Sequence, residues 1–181
     1  MSGHKRMKRK FSCVRRASVL TTLDSNLGQK ARSIKDYLKK KVPNLTNNGL
    51  AAMLGNFATE SNINPKRVEG DYLSPPVGAS ACSWDDEAWL ALGGPAIYKG
   101  AYPNILHRGL GLGQWTDTAD GSTRHTLLLN YAKGKNKKWY DLELQLDFML
   151  EGDNPYYRTI VTSILTSHDD VALLTKRFLN N

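Results

Sequence analysis

The stretch Gly55–Pro65, GNFATESNINP, ends an apolar helical pattern on a carboxylate, Glu60, and breaks at once in NINP. At 100° per residue Glu60 lies about 60° from Phe57, so it is expected to flank the stripe Leu50, Met53, Leu54 and Phe57 and not to face solvent. A helix C-terminus is the negative pole of the helix dipole, and apolar neighbours exclude water. Those surroundings suit a carboxyl group that must deliver a proton to a leaving-group oxygen, as in glycoside cleavage. Taken alone, such a residue is more often a partly exposed helix-terminal acid. A second motif shifts that balance.

Gly109–Thr116 reads GLGLGQWT, too rich in glycine for a helix or a regular strand interior. Glycines at 109, 111 and 113 let a backbone pass close beneath a ligand. Gln114 offers donors and acceptors, and Trp115 offers a flat apolar face suited to a sugar ring. The pattern is not GxGxxG, and no strand and helix frame it as a dinucleotide site requires. The competing reading is a tight turn with a core tryptophan.

The elements that must position these groups are helical. Leu27, Ala31, Ile34 and Leu38 recur at helical spacing ahead of Lys39–Lys41 and Pro43, and Thr46 can cap the helix that carries Glu60. The long Gly- and Pro-rich connection from Lys66 to Arg108 contains SWDDEAWLALGGP, which reads as a short helix capped by Ser83. Trp84 and Trp89 within it are expected to pack as core or lid more than to serve as platforms. Helical patterns follow over Ser122–Lys133, over Trp139–Glu151 and over a C-terminal stretch with Ile160, Ile164, Val171, Leu174 and Phe178. No segment sustains period-2 alternation, so the expected fold is mainly α, α+β at most, in one compact domain over residues 21–181. The last pattern runs to FLNN without a Gly or Pro stop, as expected of a piece of a longer protein.

The formal charge of +8 on 181 residues suggests an acidic partner, but seven of the 25 Lys/Arg and none of the 17 Asp/Glu fall in Met1–Arg16. The remainder is close to neutral. Residues 1–20 therefore read as a basic flexible tail able to hold anionic wall polymers, and nucleic acid is not expected as the main ligand. No run approaches the roughly 20 apolar residues of a membrane span. Cys13 and Cys82 lack metal-ligand spacing, and His107 and His125 lack a His or Cys partner at such spacing. Neither a metal nor a cofactor is expected.

In order, MLGNFATESNINP, GLGLGQWT, RHTLLLNYA and the pattern Trp139, Leu142, Gln145, Leu146 resemble the phage tail lysozyme family over roughly Ala31–Phe178. The combination of E-S-x-x-N-P with G-x-G-Q-W-T is specific, whereas either half alone is weak. The resemblance implies a lysozyme-like helical fold, near goose-type lysozymes and soluble lytic transglycosylases, that cuts the glycan strand of peptidoglycan. Glu60 matches the family's catalytic acid and Ser61 its neighbour in the ES pair. Gln114 and Trp115 match the cleft loop that contacts sugar, and Tyr131 falls where related enzymes place a cleft aromatic. A place on a virion tail, or outside the cell facing the wall, is implied. Whether the product is hydrolysed or anhydro stays open, as does a non-catalytic glycan-binding module. Of the acids in the long connection, Asp71 is favoured as a second acid because it follows the Glu60 helix most closely. Asp85, Asp86 and Glu87 suit the first turn of a helix without any chemistry.

Overall fold

A computed structural model describes residues 10–71, 73, 77–80 and 82–179. In chain order the helices are α1 (Lys10–Lys41), α2 (Asn47–Ser61), the short α3 (Glu87–Leu90) and α4 (Gly94–Ile97), α5 (Arg124–Gly134), α6 (Leu142–Asp147), α7 (Pro155–Leu165) and α8 (Val171–Leu179). Strands β1 (Ile105–Leu110) and β2 (Trp115–Thr118) form one antiparallel hairpin between α4 and α5. The domain is mainly α, as the helical periods predict. No helix among the described residues is long and apolar enough to cross a membrane.

Helix α1 starts upstream of the apolar period that predicts it, so residues 10–20 of the expected tail are its first turns. The tail's residues 1–9 lie outside the described residues. Ile34 and Leu38 of α1 are fully buried and meet Met53 and Phe57 of α2, Leu128 of α5 and Leu146 of α6 in one core. Helix α2 begins where its cap was expected: Thr46 Oγ1 accepts the Gly49 N–H at 3.0 Å and donates to Ser167 O at 2.6 Å. Gly49 allows α2 to cross the end of α7 backbone to backbone, since a Cβ there would collide with Ile164 O.

The NINP break works through two successive left-handed residues. Asn62 and Ile63 have φ of 55° and 50°, and their N–H groups donate to Ala58 O at 3.1 Å and Phe57 O at 3.0 Å. That region is strained for a β-branched residue, and burial of the Ile63 side chain in the core holds it there.

One element was unforeseen and two expectations need correction. The hairpin was hidden because its pairing shifts register twice between Ile105↔Thr118 and Leu110↔Trp115, and glycines erase the alternation. Helix α3 is capped not by Ser83 but by Asp86, whose Oδ1 accepts the Ala88 and Trp89 N–H groups at 3.0 and 3.3 Å, while Ser83 opens a separate 3-10 turn. The pattern over Trp139–Glu151 yields only α6 followed by a wider π turn over Phe148–Gly152, with Trp139 ahead of the helix.

The long connection is packed, as expected of Trp84 and Trp89. Their rings lie 5.2 Å apart, the Trp89 indole donates to Val77 O at 2.6 Å, and the Trp84 indole donates to Lys66 O at 2.9 Å. Below this layer Arg108 is 1% exposed, stacks 4.1 Å from the Trp89 ring and donates to Trp89 O at 2.7 Å. Burial pulls its pKa down to about 10, against the opposing charge of Glu69.

Gln145 of α6 joins segments far apart in sequence. Its side-chain nitrogen donates to Pro65 O at 2.7 Å and Trp139 O at 2.9 Å, and its oxygen accepts the Leu112 N–H at 2.9 Å. The hairpin turn comes so close that a Cβ on Gly111, at φ +72°, would lie 2.5 Å from the Gln145 oxygen. The end of the Glu60 helix and the glycine turn thus share one polar bracket.

Candidate active site

Glu60 projects from the last turn of α2 and is exposed, as are Ala58 and Thr59 beside it. The shielding expected from the apolar stripe does not occur, because Ala58, Thr59 and Glu60 lie on the outer side of the last turn while Phe57 and Ser61 take the buried side. Among the described residues the Glu60 side chain has no hydrogen bond or ion pair. It lines two adjoining, solvent-open hollows. Gly113, Trp115 and Arg124 lie in the first hollow, and Arg67, Glu69, Gln114 and Thr116 in the second. Glu60 is where the two meet.

The glycine turn therefore reaches Glu60 from the other side of the cleft. Gln114 is half-buried with φ of 47°, and its side-chain nitrogen donates to Gly111 O at 3.0 Å. Trp115 is 3% exposed and meets Phe148 edge to face at 5.1 Å while still lining the first hollow. Two substitutions separate these roles. Trp115→Ala is expected to destabilise the domain by about 3–5 kcal/mol, as large-to-small core changes do. Gln114→Ala removes one part-buried hydrogen bond and is expected to cost about 1 kcal/mol while weakening binding of N-acetylglucosamine oligomers. Thermal melts beside calorimetric titration check both, and unchanged oligomer affinity in Gln114→Ala would take that side chain out of the site.

Ser61 and Tyr131 do not join this cleft. Ser61 is 2% exposed and its hydroxyl donates to Phe57 O at 2.9 Å, since the residue after Glu60 turns to the interior face of α2. Tyr131 lies over Gly152, where an added Cβ would come within 2.5 Å of its ring, and packs on Phe148 at 5.9 Å. Burial, then the charges of Glu151 and Asp147, raise its pKa. Both side chains support the fold. Asp71, favoured from sequence as a second acid, accepts the Val68 N–H at 3.1 Å and pairs with Arg67 at 3.0 Å, and it lines neither hollow.

Glu69 and Arg124 are among the cleft residues that escaped the sequence reading. Glu69 sits where residues 67–69 run beside β1, with its N–H donating to Gly109 O at 2.8 Å. Arg124 opens α5, where the helix dipole repels a cation, and that misplacement was the available signal. The structure supplies the counter-charge: Arg124 makes a forked pair with Asp153, whose side chain is fully buried, and stacks 4.1 Å from the Tyr157 ring. The two histidines without partners in sequence meet in space, with rings 5.2 Å apart, but His107 pairs with Asp117 at 2.8 Å and His125 with Arg108 O at 2.8 Å. Among the described residues no group of three or more His, Cys, Asp or Glu is placed to hold a metal ion.

A mainly helical domain whose acid-bearing helix end faces a hairpin turn across an open cleft has the layout of a lysozyme-like enzyme. The chain belongs to the phage tail lysozyme family, whose model matches residues 29–181. Its family activity is lysozyme-like lysis of the cell wall by cleavage of a glycosidic bond, with peptidoglycan as substrate. No curated protein and no solved structure matches the chain.

Proposed function

We propose that this domain is a muramidase that cuts the β-1,4 glycan strand of bacterial peptidoglycan, with Glu60 as the proton donor. The observation that carries the reading is the place of Glu60 at the junction of two hollows. A glycan laid along both would present one inter-sugar bond at the carboxyl group, with sugars held on either side. Glu60 protonates the glycosidic oxygen as an oxocarbenium-like transition state develops, while Gln114 and the glycine turn orient an N-acetyl sugar. Trp115 contributes an edge of the cleft wall. The basic N-terminal segment holds anionic wall polymers, and the work is done at a virion tail or elsewhere on the outer side of the wall.

Digestion of purified peptidoglycan followed by mass analysis of the fragments tests the bond. Reducing N-acetylmuramic acid ends are expected. N-acetylglucosamine ends would place the cut at the other linkage, and a chain that binds walls without releasing fragments would be a glycan-binding module.

A further inference from the structure

We propose that Glu69 is the second carboxylate of the reaction, the group that takes a proton from the attacking water. The inference rests on the glycan-cleaving reading above and names the group that activates the water this reading calls for.

Glu60 and Glu69 are the only carboxylates that line either of the two adjoining hollows among the described residues, and they share the second one. Other nearby acids are committed elsewhere: Asp71 to Arg67, Asp117 to His107 and Thr126, and Asp153 to Arg124. Glu69 is braced from two sides. Its Oε2 accepts the Gly109 N–H at 2.9 Å and its Oε1 accepts the Tyr98 hydroxyl at 2.9 Å. Both neighbours are donors, the pattern a carboxylate takes up, and each oxygen keeps a lone pair for a water in the hollow. Arg67 lines the same hollow, and the Arg108 guanidinium donates to the Glu69 backbone carbonyl at 3.3 Å. A carboxyl group fixed by two donors in the same hollow as the proton donor is placed to take a proton from a water held there.

In the step itself the water oxygen bonds to the anomeric carbon as the bond from that carbon to the bridging oxygen breaks. The electron pair of that bond stays on the bridging oxygen, which takes the proton of Glu60. Glu69 takes a proton from the water. The products are a reducing sugar and a free hydroxyl, and Glu60 and Glu69 return to their starting states by proton exchange with solvent.

The full chain acting on purified glycan strands in water labelled with oxygen-18 tests this, together with Glu69→Gln and Glu69→Ala. The expected wild-type product carries one labelled oxygen at its reducing end. Glu69→Gln keeps an acceptor for Gly109 and is expected to lower kcat by ~10²–10⁴-fold with little change in KM. Azide needs no deprotonation, so it is expected to restore turnover in Glu69→Ala and to yield a glycosyl azide. Anhydro sugar ends from the wild type, a Glu69→Gln kcat near wild type, or a Glu69→Ala variant that folds but gains nothing from azide would each overturn the proposal. Failure of the underlying reading shows differently, as undiminished cleavage by Glu60→Gln or as no fragments released by the wild type, whereas a defect confined to the Glu69 variants bears on this proposal alone.

Discussion

Replacing Glu60 by Gln is expected to reduce wall cleavage by at least ~10²–10⁴-fold while leaving the melting temperature almost unchanged. The amide keeps the size of the side chain and its ability to hydrogen bond, but it has no proton to give. Its thermal silence follows from the structure: the Glu60 side chain is exposed and has no hydrogen bond or ion pair among the described residues, and substitutions at such positions usually stay within about 0.5 kcal/mol. Loss of turbidity of purified walls, followed beside a calorimetric melt, measures both. Substantial remaining activity would move the acid elsewhere in the cleft. A large drop in melting temperature would instead show that Glu60 serves the fold.

Gln145→Leu is expected to do the reverse, damaging stability first and activity through it. The substitution fits the volume but strips partners from Pro65 O, Trp139 O and the Leu112 N–H, all held by the buried Gln145 amide. Each buried polar group left unpaired costs about 1–3 kcal/mol, so a loss of ~3 kcal/mol or more is expected. For a domain of this size that lowers the melting temperature by roughly 10 °C. Because the same amide spans the exit of the Glu60 helix and the glycine turn, binding of glycan oligomers should weaken even below the melt. A loss under about 1 kcal/mol would mean that the three groups find other partners.

The helices were legible because their boundaries are local chemistry. Thr46, Lys39–Lys41, Asn62 and Pro65 announce starts and stops within a few residues, and Leu50, Met53 and Phe57 mark a face. The hairpin was not legible, since shifted register and three glycines remove the alternation that betrays a strand. The sign of exposure also failed at single positions. Ser61 and Tyr131 carry side chains that suit a cleft, yet whether a helical residue faces the cleft or the core depends on the tertiary packing, which buries Ser61 and lays Tyr131 over Gly152. Glu69 was overlooked because its placement depends on Gly109 and Tyr98, 40 and 29 residues further along. The bracket around Gln145 has the same character, with partners up to 80 residues away.

Ile63, held left-handed just past the acid, has a consequence for anyone wishing to harden this domain. Asparagine or glycine would adopt that backbone more readily, and a stability screen would be drawn to both. Either would remove an apolar plug at the exit of α2 and loosen the carrier of the acid by its far end. The isoleucine anchors the helix without asking anything of the carboxyl group three residues earlier. Glu60 is thereby released from structural duty, as a proton donor of the kind proposed must be if it is to exchange partners at every turnover while the scaffold stays still.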